Sequence, residues 1–190
     1  MRLDQNQRQS LMASVEQLAM DAGLRILDIR AKGAVVETKP DGSPVSNADL
    51  AADAIIRDGL NRLTPSIPII SEETWTEDTD DDPDCYWCVE PLDGTRGFLN
   101  GGRDFTVNIA LIDNKHPVLG VIMAPAHQMI WFSDGQIAAK RQWDNPHHPD
   151  PTPQQIITTR ISPPDQPVVV TTMSRRSQIL QDWLDCINPG

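Results

Sequence analysis

The chain has 190 residues and a formal net charge of −11, from 27 acidic and 16 basic side chains. That length bounds it to one domain or two small lobes, and 39% apolar with 23% charged residues excludes a disordered chain. The acidic balance excludes a nucleic-acid polymer as partner, since backbone phosphates are bound by Lys and Arg, yet permits a small phosphorylated ligand held through a cation.

The first predicted element is a long amphipathic helix. Leu11, Val15, Leu18, Ala22, Ile26 and Ile29 recur at steps of three and four, and Gly33 with the run Pro40–Pro44 ends it. A second helix is predicted to begin at Ser46, with Asp49 three residues on as its capping-box partner and Leu50, Ala54, Ile55 and Leu63 as its apolar face. Ile67-Pro68-Ile69-Ile70 reads as a strand leading into Ser71-Glu72-Glu73. Eight carboxylates lie between Glu72 and Asp84 with no Lys or Arg, and beyond Glu73 they read as a solvated acidic loop. An EF-hand starting at Asp78 fails because Pro83 stands where the turn glycine belongs and Val89 where the bidentate Glu belongs.

Tyr86–Val89 reads as a buried strand running into Glu90-Pro91-Leu92-Asp93-Gly94-Thr95. The apolar runs Phe105–Ile112, Val118–Met123 and Gln128–Phe132 predict a meander of antiparallel strands. Seven prolines between Pro146 and Pro167, around one short strand at Ile156–Thr159, mark a linker or crossover. Val168–Val170 reads as a buried strand, and a last helix follows with Ile179, Leu180, Trp183 and Leu184 apolar. Three parts are thus expected: a lobe over residues 1–135, a Pro-rich crossover over 136–167, and a second lobe starting at 168. The order predicts a layered α/β fold. No run approaches the ~20 apolar residues of a membrane span, and the polar start Met1–Gln7 lacks a signal peptide's apolar core. The cytoplasm is the expected location, with peripheral membrane association left open.

The chemistry concentrates in three segments. Glu90 and Asp93, with Pro91 between them and Gly94 after, stand where a strand ends, so both carboxylates and the Leu92 carbonyl could converge on one Mg²⁺, a hard cation that takes carboxylates plus phosphate and water. A surface turn with two ordinary acids is the competing reading. Glu72 and Glu73 also follow a strand, and an adjacent parallel or mixed pairing would bring the two acidic ends together, where like charges repel unless a cation relieves them. Asp49 is either a helix cap alone or also the acceptor of a hydroxyl such as that of Thr95, which then orients water. Cys85-Tyr86-Trp87-Cys88 is read as two buried thiols, because no other Cys or His is spaced to complete a zinc site. Arg175-Arg176 is read equally as a ligand contact or a solvated helix start.

Together, Ser43-Pro44-Val45-Ser46-Asn47-Ala48-Asp49, Ser71-Glu72-Glu73 and Glu90-Pro91-Leu92-Asp93-Gly94-Thr95-Arg96-Gly97-Phe98 resemble the lithium-sensitive, magnesium-dependent phosphomonoesterases of the inositol monophosphatase superfamily. Asp104–Ile112 and Pro117–Pro125 look closest to its bacterial 3′(2′),5′-bisphosphate nucleotidase branch. The resemblance implies a layered α-β-α-β-α sugar-phosphatase fold and removal of the 3′-phosphate of 3′-phosphoadenosine 5′-phosphate, a step of sulfate assimilation and nucleotide recycling. An inositol or sugar monophosphatase is the neighbouring alternative.

By the same resemblance Glu72 binds the first Mg²⁺ and helps orient water. The acid at 90 bridges two ions, the Leu92 carbonyl binds the first, and Asp93 binds the second. Gly94 and Thr95 offer backbone N–H groups to the phosphate, and Thr95 with Asp49 polarises the attacking water. Glu72, Leu92, Asp93, Gly94 and Thr95 then form the substrate contacts, and two metals ~3.5–4 Å apart stabilise the entering and leaving oxygens.

Two departures stand out. The family usually has Asp at the position of Glu90, and the extra methylene moves the carboxylate by about one C–C bond in a site that demands near-ideal geometry. The W-D-x-A-A-G-like segment, whose Asp completes the second metal site, does not occur: Trp143-Asp144 precedes the required strand, and Trp183-Leu184-Asp185 has the wrong spacing. A C-terminally incomplete second lobe is therefore expected. Its unpaired Val168–Val170 edge would be open to self-association, a homodimer included, and a catalytically impaired remnant is the rival to an active enzyme.

Overall fold

The computed structural model describes residues 3–39, 42, 44–75, 83–143, 155–158 and 177–187. Two compact units divide the chain, Met1–Ile157 and Thr158–Gly190. Helix α1 (Gln5–Lys32) starts at a capping box between Asp4 and Gln7 and stops at Gly33, as its periodicity predicts. A hairpin of β1 (Val36–Thr38) and β2 (Pro44–Ser46) follows, joined antiparallel through Thr38 and Pro44. Helix α2 (Asn47–Leu63) is capped by Ser46 and Asp49 in the predicted box. Strands β3 (Ile69–Ser71) and β4 (Cys85–Asp93) lead to the short helix α3 (Thr95–Leu99). The predicted meander is β5 (Thr106–Asp113), β6 (His116–Ala124) and β7 (Met129–Ser133), with a 3₁₀ turn at Pro125–His127.

The sheet continues past residue 135. Strands β8 (Ala138–Gln142) and β9 (Gln155–Ile157) extend it in the order β3-β4-β5-β6-β7-β8-β9, so the first unit reaches into the stretch expected as a crossover. The physical reason is visible in β8. Ala139 is fully buried and pairs with Phe132, while Trp143 just beyond joins the core and is not a linker residue. All neighbouring pairs in this sheet are antiparallel except β3 and β4, which are parallel.

One face of the sheet carries the core. Helix α1 packs on β5 and β6 and α2 on β4, burying Trp87, Ile109, Leu119, Val121 and Met123. Side chains of this size contribute about 1.5–3 kcal/mol each on full burial. Trp87 also donates its indole N–H to the Thr64 hydroxyl at the end of α2, at 2.8 Å. The alternation of β4 corrects the reading of the two cysteines. Cys85, Trp87 and Val89 point into the core, whereas Cys88, three residues from Cys85, takes the opposite face and is exposed.

The apolar face of α2 also differs from the expectation. Leu50 is half exposed and Ala54 is exposed, while Ala48, Ala52, Ile56, Gly59 and Leu60 are buried. Close approach of α1 decides this. A Cβ at Gly59 would sit 2.1 Å from the Leu18 side chain, so the contacting stripe selects small residues over the larger ones that hydropathy favours. In the second unit, Ser177 precedes helix α4 (Gln178–Ile187), on which Ile179 and Trp183 are exposed. The acids from Glu77 to Asp82, His147-His148, Val168–Val170 and Arg175-Arg176 lie outside the described residues.

Candidate active site

The acidic segments meet because β3 and β4 run parallel. Their register pairs Ser71 with Val89, and the Glu72 amide donates to the Val89 carbonyl at 3.1 Å, so Glu72, just past β3, lies beside Glu90 of β4. Ser71, buried at the end of β3, is fixed to α2 through its hydroxyl, 2.5 Å from Asp53 Oδ1.

Between Glu90 and Asp93 the ladder breaks. Pro91 and Leu92 stand opposite the single residue Val107, a β-bulge at a position where Pro has no N–H to give. The Leu92 carbonyl turns to the Thr95 hydroxyl, 3.1 Å away. Gly94 then takes φ +85°, ψ 27° as the N-cap of α3. A Cβ there would lie 2.8 Å from the Asp104 carbonyl oxygen, so both conformation and space require glycine.

Asp49 caps α2 and also accepts from the Thr95 hydroxyl. Its Oδ2 accepts from the Ser46 amide at 2.8 Å and the Ser46 hydroxyl at 2.6 Å, closing the cap of α2. Its Oδ1 lies 3.0 Å from the Thr95 hydroxyl, across 46 residues of chain. Having one proton, that hydroxyl donates to Asp49 or to Leu92, and its lone pairs remain for a third partner. Asp49 is buried and Thr95 half-buried.

The electrostatics are uneven. Glu90 is half-buried, and its Oε2 accepts from Asn108 Nδ2 at 3.2 Å. Burial raises its pKa above the ordinary carboxylate range, and the charges of Asp93 and Glu72 push the same way against the Asn108 hydrogen bond. Glu73 is raised as well, chiefly by burial, with Lys39 opposing and Asp49 and Glu72 adding. Lys39 Nζ lies 2.9 Å from Glu73 Oε1 and 3.5 Å from Glu72 Oε1. Around α3, Arg30 fixes the following loop by donating to the Gly101 and Gly102 carbonyls at 2.6 and 2.8 Å. Its guanidinium also lies over the edge-to-face pair Phe98–Phe105.

The structure therefore brings Glu72, Glu90, Leu92, Asp93, Gly94, Thr95 and Asp49 to one end of β3 and β4. Three participants escaped the sequence reading: Lys39, Asp53 and Asn108. Lys39 was detectable, being the only basic residue between Lys32 and Arg57; Asp53 and Asn108 carry no local signal. The donor chemistry, carboxylates plus a backbone carbonyl, fits a hard divalent cation, and Asn108 Oδ1, beside Glu90, is a buried oxygen without a partner. The side chains are not drawn into a coordination sphere: among the described residues no three His, Cys, Asp or Glu form a metal-ligating cluster. Nor is any described helix long and apolar enough to cross a membrane.

Comparison with known proteins gives a consistent result. The model of the inositol monophosphatase family matches residues 7–183. The 3′(2′),5′-bisphosphate nucleotidase CysQ of Escherichia coli O157:H7 is 44% identical over 132 residues, 64% of this chain and 50% of that protein. The protein of the same name from Shigella flexneri is 36% identical over 185 residues, 92% of this chain and 68% of its own length. Among solved structures, CysQ from Bacteroides thetaiotaomicron, described as a bacterial member of that family, superposes with a TM-score of 0.74 at 26% identity. It covers 95% of this chain and 69% of that one. The chain thus spans about half to two thirds of the length of these relatives.

Proposed function

Because the chain belongs to the inositol monophosphatase family, we propose that it is built to hydrolyse a phosphomonoester, with a 3′(2′),5′-bisphosphate nucleotide such as 3′-phosphoadenosine 5′-phosphate as substrate. The observation carrying this reading is the convergence at the ends of β3 and β4, where acids from two strands meet the Thr95–Asp49 pair. The CysQ relatives named above support the choice of a nucleotide.

Glu72, Glu90, the Leu92 carbonyl and Asp93 would hold Mg²⁺, which supplies an acidified water and neutralises phosphate charge. The remaining work falls to the chain itself. Asp49 fixes the Thr95 hydroxyl, so that one of its lone pairs can take a hydrogen bond from water and aim that water at phosphorus. Asp49 is itself locked by Ser46, so its geometry is inherited from the cap of α2. Gly94 lets the backbone turn sharply after Asp93, leaving the Gly94 and Thr95 amides free of a side-chain cap to meet phosphate oxygens. The Asn108 hydrogen bond holds Glu90 in place, so the longer side chain at 90 is steered from β5.

Phosphate release from 3′-phosphoadenosine 5′-phosphate and from an inositol monophosphate, each with Mg²⁺ and with a chelator, tests the reading. Mg²⁺-dependent preference for the nucleotide is the expected result. Preference for the inositol phosphate would reassign the substrate, and chelator-insensitive hydrolysis would remove the metal. A second reading, a chain that binds cation weakly and without turnover, rests on the acids of the described residues forming no metal-ligating cluster. It predicts Mg²⁺ binding with no phosphate release from either substrate.

A further inference from the structure

Lys39 stands immediately after β1, and the β1–β2 pairing ties its backbone to the segment that enters Ser46 and Asp49. Its ammonium group reaches both acids that follow β3, but the two contacts differ. Glu73 is 3% exposed and lies 2.9 Å away; Glu72 is 51% exposed and lies 3.5 Å away. Burying Glu73 as a charged group requires a partner, so the short contact is an anchor. The contact to Glu72 is longer and wetter, and is the weaker of the two.

We propose that Lys39 is the positioning residue that sets the site's affinity for divalent cation, competing for Glu72 while Glu73 holds it in reach. This inference rests on the metal reading above. A divalent ion on a Glu72 oxygen meets the Lys39 ammonium as a like charge at short range. Binding therefore breaks the Lys39–Glu72 contact and leaves the Lys39–Glu73 contact intact. Part of the cation's attraction to the acids is spent on that exchange, which weakens its net binding.

The test is Mg²⁺ binding to the full chain by titration calorimetry, with no substrate present. Lys39→Gln is expected to tighten the Mg²⁺ dissociation constant about three- to tenfold, the size of a partly exposed ion pair acting on a double charge. Lys39→Arg, which keeps the charge, is expected to stay within about twofold of the parent. Should Lys39→Gln fail to fold because Glu73 is left buried alone, Lys39→Gln/Glu73→Gln compared with Glu73→Gln supplies the same difference without an orphaned charge. Unchanged or weaker binding on loss of Lys39 overturns its role while leaving the metal site standing. No Mg²⁺ binding by the parent or any variant overturns both.

Discussion

Two ends of the same sheet partner their acids in different ways. At the β7–β8 edge, Asp134 accepts from the Gln136 and Ile137 amides and from the Gln5 and Gln9 side chains, and its pKa is lowered, first by the Ile137 amide. Nearby, Glu16 on α1 pairs with Arg141 of β8. Each acid there has donors of its own. At the β3–β4 end, Glu72 and Glu73 share Lys39, and Glu90 takes the Asn108 amide. Glu73 and Glu90 are shifted upward first by burial, with the charge of Glu72 adding to both. Satisfied acids hold a fold together, whereas a surplus of negative charge at a strand end is a standing attraction for a cation. Structure and chemistry are thus segregated along the sheet.

This contrast can be broken by crossing effects between the two ends. The largest effect is expected at Asp49. Asp49→Asn should lower phosphate release about 10²- to 10³-fold by misdirecting Thr95, while chemical denaturation detects a loss of only about 1 kcal/mol from the altered cap. An Asn variant with normal turnover would remove the Asp49–Thr95 pair from the proposed chemistry.

At the opposite end the balance should invert. Arg141→Ala leaves Glu16 buried without its partner and is expected to cost about 3 kcal/mol of stability in urea unfolding. Turnover per folded molecule should not change. Loss of activity in the folded fraction would show that the two ends are coupled.

A smaller gain is expected from shortening the acid at 90. Glu90→Asp moves the carboxylate by about one C–C bond toward the usual family geometry and should raise turnover or Mg²⁺ affinity about tenfold. It also breaks the contact with Asn108, so an Asn108→Ala variant of the Asp form should differ little from its parent. A loss on Glu90→Asp would mean that the site is tuned to Glu.

The smallest effect is on the pH dependence of stability. Burial raises the pKa of Glu16, with Arg141 opposing. The folded state therefore holds this proton more tightly than the unfolded one, and the associated stability is present below the ordinary value of 4.5 and lost as pH rises through the higher folded value. Asp134 has the opposite sign: its contribution is present above its ordinary value of 3.8 and lost as pH falls through the lower folded value. Melting temperatures between pH 4 and 8 should decline less steeply in Glu16→Gln than in the parent. An identical slope would show that Glu16 stays charged in the folded chain.

Much of this was legible residue by residue. The spacing from Leu11 to Ile29 and the cap at Ser46–Asp49 placed both helices, and the apolar run before Ser71 placed Glu72 at the end of a strand. The face of α2 was misread because Leu50 is more hydrophobic than Ala48 or Gly59, while close helix contact rewards small volume. Cys88 was misread as buried because a strand with a covered face and an open face buries only alternate residues. Strand β8 was missed because Lys140-Arg141-Gln142 reads as polar loop, yet Arg141 is drawn in by Glu16.

By itself the sequence determined which groups are candidates for the chemistry: three acidic segments, a proline and glycine where a strand must break, and a chain with surplus negative charge. Side-chain type and local spacing are properties of the chain alone, so these needed no fold. Tertiary structure decided who meets whom. The parallel register put Glu72 beside Glu90, the bulge turned the Leu92 carbonyl onto Thr95, and the β1–β2 hairpin delivered Lys39 to Glu73. The approaches of Glu72 to Glu90 and of Lys39 to Glu73 join residues far apart in the chain, and only burial and backbone pairing across the sheet fix distances of that kind.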